Sequence, residues 1–263
     1  MNPFSPDDAA ALLQDRCRAL EAQIAELEAV NRSYLDMLGF VAHELKSPLA
    51  SAMMSVYTVK DGYLGAVNPA QARSLASAAI SLEHLQDMIR NYLDLSRIDK
   101  GELALAQTYF PLHSRVIEPV LRDLEPALSR KQMVVENRIP GGRVVYADAD
   151  LLRIIYENLL SNAIKYGEHA GTILLDCQEE ATELVLNVQN TGPGIPEDEI
   201  PLLFRRFSRL KSSGATGQRG TGLGLYICRE IVEKHGGRIW ASSQPGAWVR
   251  FSFTLPQQAA AEV

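Results

Sequence analysis

From Leu13 to Leu45 the apolar positions fall at Leu13, Cys17, Leu20, Ile24, Leu27, Asn31, Tyr34, Leu38, Val41 and Leu45, with spacings that alternate between four and three. That alternation is a coiled-coil seam, and it predicts one long helix pairing with another. With Ile24 as an a position, Asn31 is also an a position. A single polar Asn there fixes register and favours two strands, so the pattern predicts a parallel dimer. The same register puts His43 at f, turned away from the seam, with Glu44 at g and Ser47 one turn further on the histidine's own face. Pro48 follows, where a helix interior would lose the bond to the Glu44 carbonyl at a cost of about 3 kcal/mol. Because the heptads continue to Leu45, the helix is expected to pass His43 and to bend near Pro48.

After Gly62 and Gly65, Asn68 reads as an N-cap and Pro69 as a first-turn proline. Leu75, Leu82, Leu85, Ile89 and Leu93 then form one stripe that Gly101 would close. Two such helices make a hairpin, and two hairpins make a four-helix bundle. Beyond Thr108 the texture changes. "MVVENRI", "RVVYAD", "TILLDC", "ELVLNVQN", "GRIWASS" and "WVRFSFTL" read as strands, interleaved with helical patterns at residues 112–130, 149–167 and 223–237. The expected fold is therefore α plus α/β: an N-terminal coiled coil and helical hairpin that dimerise into a four-helix bundle, followed by an α/β sandwich. "KSSGATGQRGTG", residues 211–222, reads as a loop of small and basic residues.

Composition narrows the classes. A formal net charge of −6 over 263 residues argues against a nucleic-acid-binding surface. No apolar run approaches the ~18 residues that span a bilayer, and the acidic start "MNPFSPDDAA" is unlike a signal peptide, so no membrane span and a cytoplasmic location are expected. Cys17, Cys177 and Cys228 have neither metal-ligand nor disulfide-framework spacing.

Candidate chemistry gathers in a few segments. "GTGLGL" runs straight into a helical pattern, where the backbone N–H groups of Gly220, Gly222 and Gly224 can approach a phosphate; a glycine-rich turn without a ligand accounts for it equally well. "NTGPGI" follows the strand pattern "ELVLNVQ". Asn158 and Asn162 lie one turn apart, with Lys165 three residues on. Such amides can hold a hydrated cation beside a phosphate-binding lysine, or simply make local bonds.

Taken in order, "FVAHELKSPL", "NLLSNAIKYG", "NTGPGI", "LFRRFSR" and "GTGLGL" resemble the phosphoacceptor, N, first glycine, F and second glycine boxes of the two-component sensor histidine kinases, over residues 39–255. The resemblance implies a dimerisation and phosphotransfer domain and an ATP-binding fold shared with gyrase-type ATPases. The implied boundaries are a coiled coil at 1–38, the phosphotransfer domain at 39–102, a linker at 103–110, the ATP-binding domain at 111–257 and a tail at 258–263. It implies an ATP-dependent autokinase in which His43 is the nucleophile and Glu44 its base, with Ser47 in the position that affects dephosphorylation of the partner. The implied cofactors are ATP and Mg²⁺. Asn162 would ligate Mg²⁺ with help from Asn158, while Lys165 and the glycine-rich backbone face the phosphates. Tyr166, Asn190, Gly192, Gly194, Ile195, Phe204, Phe207, Gly220, Thr221, Gly222, Leu223, Gly224 and Leu225 would complete the nucleotide site and its lid.

The implied partners are a second copy of the chain and the receiver domain of a response regulator. Only about forty residues precede the phosphoacceptor box, so the expected input is a separate sensor protein acting through the coiled coil, unless the chain is a fragment. Two positions depart from the family pattern: Asn190 stands where Asp normally accepts from the adenine amino group, and Ser47 where Thr or Asn is common. An amide that can rotate at Asn190 predicts weak discrimination against GTP. The competing expectations are a nucleotide-binding dimeric scaffold without kinase activity, and a gyrase-type ATP hydrolase, which would need a carboxylate where Asn158 stands.

Overall fold

The computed structural model describes residues 6–99, 105–208 and 221–257. Gly101, Gly220 and the side chains of Leu13, Asn31 and Leu38 lie outside the described residues. The chain divides into two compact units, Met1–Glu102 and Leu103–Val263.

The first unit is a helical hairpin of α1 (Pro6–Lys60) and α2 (Pro69–Asp99). Asn68 starts α2 with a reciprocal capping box: its Oδ1 accepts from the Gln71 backbone N–H, and Gln71 Oε1 accepts from the Asn68 N–H, each at 2.9 Å. Ala42, Leu49 and Ile89 form the buried seam, lined by Met53, Leu82 and Leu93. Close approach comes from small residues higher up. A Cβ on Gly39 would sit 3.3 Å from Ser96 Oγ, and that hydroxyl donates to the Leu35 carbonyl at 3.1 Å. α1 thus carries two faces. Leu35, Ala42 and Leu49 are buried within the chain, whereas Leu20, Ile24, Leu27, Tyr34, Val41 and Leu45 of the predicted seam stay exposed. Leu85, expected in the α2 stripe, is exposed as well.

α1 continues through Pro48. Burial decides this: full burial of an aliphatic side chain contributes about 1.5–3 kcal/mol, so Leu49 together with Ile89 offsets the proline's cost.

The second unit has a five-stranded sheet, β2 (Val134–Asn137), β4 (Thr172–Glu179), β5 (Glu183–Thr191), β7 (Trp248–Pro256) and β6 (Ile239–Gln244), side by side in that order. Only the β2–β4 pair is parallel. β1 (Thr108–Pro111) and β3 (Val144–Ala147) form a separate antiparallel ladder. The six expected strands are present, and β1 is the one that was not expected. α3 (Glu118–Lys131), α4 (Ala149–Tyr166) and α5 (Gly224–Lys234) are the helices. A π-helical turn at His113–Ile117 precedes α3, where Pro119 supplies no N–H for the Arg115 carbonyl. The core lies between α4, α5 and the sheet: Leu152, Ile155, Tyr156, Leu159, Ile227, Ile231, Ile173, Leu175, Leu186 and Phe253 are buried.

α4 and α5 run antiparallel. Gly224, at the start of α5, lies against Asn158, the Cys228 thiol points to the Ile155 carbonyl at 3.9 Å, and His235, at the end of α5, meets Asp148 at the start of α4. Burial pushes the His235 pKa below its ordinary value of 6.5, against the weaker pull of Asp148. The neutral ring is therefore the folded form, and the unfolded chain binds a proton first as pH falls. This contribution to stability is complete above the unfolded value and is lost as pH drops through the folded one. Thermal unfolding is expected at lower temperature at pH 5.5 than at 7.5, and His235→Gln should flatten the dependence; an unchanged slope in the variant would assign it to other groups.

Candidate active site

In the helical unit His43 and Glu44 stand on the exposed face of α1, with side chains 79% and 61% accessible. His43 Nδ1 lies 3.2 Å from Glu44 Oε1. In the neutral ring, a hydrogen bond to that carboxylate needs the proton on Nδ1, which leaves the lone pair on Nε2. That tautomer suits a nucleophile. Ser47 is exposed one turn further on.

In the second unit α4 is set by Asp148, whose Oδ1 accepts from the Asp150 and Leu151 N–H groups at 3.0 and 3.1 Å. At its other end the Lys131 ammonium donates to the Ile164 and Lys165 carbonyls, a cation on the negative end of the helix. Partial burial lowers the Lys131 pKa. Asn158 Nδ2 donates to the Ile154 carbonyl at 2.9 Å, and its Oδ1 faces Gly224, where a Cβ would come within 2.5 Å. Asn158 thus bonds within α4 and packs against the start of α5. Asn162 is half-buried one turn on, and Lys165 Nζ sits 5.4 Å above the Tyr166 ring.

The first glycine box is fastened to the β6–β7 turn. The Gly192 N–H donates to the Ala247 carbonyl at 3.0 Å, and the Ile195 N–H donates to Ser243 Oγ at 2.8 Å. Asn190 is buried, and its Nδ2 donates to the Thr191 carbonyl at 3.0 Å. Turning the amide over would set oxygen against oxygen. The bond favours this orientation of the amide.

The second glycine box meets the F box. Gly222 has φ +71°, and a Cβ there would lie 2.6 Å from the Ser208 carbonyl oxygen and 2.8 Å from the Phe207 carbonyl carbon, both backbone atoms that cannot swing aside. Phe207 itself has φ +59° and is 55% exposed, a strained conformation for a bulky residue. Phe204 instead packs edge-on to Phe251, with centroids 6.4 Å apart. The Leu223 N–H donates to Thr221 Oγ1 at 3.2 Å, and Leu225 is half-buried in the first turn of α5.

These motifs adjoin in pairs. Asn158 meets Gly224, Phe207 meets Gly222, and Gly192 lies against Gly167 and the Tyr166 carbonyl. Sequence reasoning missed the Arg206 guanidinium, 4.9 Å from the Tyr226 ring, which joins the F box to α5, and it missed Lys131, Asp148 and His235. Among the described residues no cluster of three His, Cys, Asp or Glu side chains could cage a metal. The amide oxygen of Asn162 fits a Mg²⁺ that arrives with nucleotide phosphates and keeps its waters.

Residues 33–101 match the family model of the His Kinase A (phospho-acceptor) domain, and residues 147–259 that of the histidine kinase-, DNA gyrase B- and HSP90-like ATPases. The adaptive-response sensory kinase SasA of Synechococcus sp. (strain JA-3-3Ab) is 35% identical over 97% of this chain and 68% of its own length. The chain belongs to the two-component sensor histidine kinases.

The circadian input-output histidine kinase CikA of Synechococcus elongatus is 33% identical over 94% of this kinase, which spans 34% of that relative's length. Full-length ShkA in complex with AMPPNP shares the fold, with a TM-score of 0.63 at 22% identity over 86% of this chain and 47% of that one. The kinase thus has a helical phospho-acceptor domain followed by an α/β ATP-binding domain, and the phospho-acceptor domain implies dimerisation. No helix among its described residues is long and apolar enough to cross a membrane.

Proposed function

We propose that this kinase transfers the γ-phosphoryl group of ATP to His43 Nε2 and then to an aspartate of a response-regulator receiver domain. The reading rests above all on the Nδ1 contact with Glu44, which in the neutral ring leaves the lone pair on Nε2. The Nε2 lone pair forms the N–P bond as the bond to the ADP oxygen breaks, and the Nδ1 proton, made acidic by the new cationic ring, passes to Glu44. In the second step the aspartate oxygen forms a P–O bond, the N–P bond breaks and the proton returns to Nδ1.

Asn162 would hold a Mg²⁺ that neutralises phosphate charge, with Lys165 and the backbone around Gly222 and Gly224 facing the phosphates. Asn190 accepts from the adenine amino group through Oδ1. Ser47 keeps a hydroxyl on the histidine's face and supports a weak dephosphorylation of the partner. The exposed seam of α1 is covered by a second copy in a parallel homodimer. Residues 39–102 form the phosphotransfer domain, 103–110 the linker, 111–257 the ATP-binding domain and 258–263 a tail.

Incubation with γ-labelled ATP tests the reaction. The expected product is a labelled protein whose label is lost in acid and kept in base. Phosphate release without a labelled protein would instead indicate an ATP hydrolase, and nucleotide binding without either a scaffold.

A further inference from the structure

The His235 imidazole bridges two helices and is spent on neither catalysis nor surface. Its Nδ1 donates to the Ile231 carbonyl in the last turn of α5 at 2.8 Å. Its Nε2 accepts from the Asp148 backbone N–H at 3.0 Å, at the N-cap of α4. Both residues are buried. Asp148 carries a third tie: beyond capping α4 with Oδ1, it accepts through Oδ2 from the Ala106 N–H at 2.9 Å. Ala106 stands where the chain comes into the second unit, which begins at Leu103.

What this junction controls lies at the opposite ends of the helices. The N-terminus of α5 has no side-chain cap. Along the helix pair, the Gly224 contact with Asn158 is a close approach without a hydrogen bond, and the Cys228 contact is a long thiol contact. Two-ended hydrogen bonding at His235 is a directional restraint on how far α5 slides along α4. Asn162 is on α4, and Gly222 and Gly224 lead into α5, so a slide would part the residues that face the phosphates.

We infer that Asp148 and His235 are a positioning pair for nucleotide binding: they hold the register of α4 against α5 and tie it to the incoming chain at Ala106. The inference rests on the nucleotide site proposed above. It places a restraint from the connector directly on the helix that carries Asn162.

The test uses the whole chain described above and its rate of autophosphorylation as a function of ATP. His235→Leu keeps the volume and removes both bonds; KM for ATP should rise about fivefold, the loss of one net hydrogen bond, with the saturated rate unchanged at a temperature where the variant is folded. His235→Gln restores an acceptor near the Nε2 position and should bring KM back to within about twofold. A folded His235→Leu with wild-type KM, or a glutamine that fails to restore it, would overturn the inference. A structural role alone would lower the melting temperature and leave KM unmoved. Should the leucine variant not fold, the wild-type protein decides: binding of a non-hydrolysable ATP analogue with Mg²⁺ should slow amide exchange at Asp148 and Ala106 by reciprocal linkage, and exchange unaffected by the analogue overturns the claim. Asn162→Ala serves as the control. If that variant keeps wild-type affinity, the underlying site assignment fails, whatever His235 does.

Discussion

His43→Gln is expected to take up no phosphate from ATP while binding nucleotide as the wild type does, within about twofold. Glutamine places an amide where the ring nitrogen was, and an amide nitrogen has its lone pair delocalised into the carbonyl, so it cannot form the N–P bond. Little else should change, because the His43 side chain is 79% accessible and its resolved bond is to the neighbouring Glu44. Surface positions of this kind typically alter stability by less than about 0.5 kcal/mol. Gel labelling together with calorimetric titration of an ATP analogue measures both halves. Label remaining on the variant would move the acceptor to another residue. Lost nucleotide affinity would give His43 a role in binding.

Asn162→Ala should lower nucleotide affinity by roughly ten- to a hundredfold in the presence of Mg²⁺, the range for a hydrogen bond or ligand to a charged group. Asn162 sits one turn beyond Asn158 on α4 and, half-buried, packs less against the core than the fully buried Leu159 and Leu160 beside it. The change should therefore spare the fold. Titration with and without Mg²⁺ separates the possibilities. Equal affinity in the variant and wild type with Mg²⁺ would remove Asn162 from the site, and an equal loss without the metal would make it a phosphate or packing contact instead.

Long patterns were legible in the chain and short ones were not. The long helix α1, the capped start of α2 and six strands of the second unit carry period or punctuation over enough residues to stand out. β1 is only Thr108–Pro111, with Tyr109 exposed and no alternation to mark it, and it exists because β3 lies beside it. The second face of α1 escaped notice for another reason. It is built from Leu35, Gly39, Ala42 and Leu49, and small residues permit close helix contact without raising local hydrophobicity. Leu85 was placed in the α2 stripe by its spacing, yet spacing does not say which of two faces a neighbour covers.

The site divides in the same way. Glycine boxes and paired asparagines announce themselves, because phosphate and backbone geometry demand particular residue types at fixed intervals. Asp148 and His235 are 87 residues apart. One looks like an ordinary helix cap and the other like a polar residue closing a helix, and only folding brings them together. The local bond of Asn190 to Thr191 could not be read from composition either, since an amide's orientation depends on which carbonyl is near.

The uncovered seam on α1 also makes this protein's integrity a matter of mass action. Leu20, Ile24, Leu27, Tyr34, Val41 and Leu45 face water in the single chain, and the proposed dimer through this seam would remove that cost in proportion to how much chain is present. Melting temperature, protease resistance and the fraction of active kinase should then all rise with protein concentration. In a cell the abundance of the kinase, set by its own synthesis and dilution, would then bear on how much of it is active.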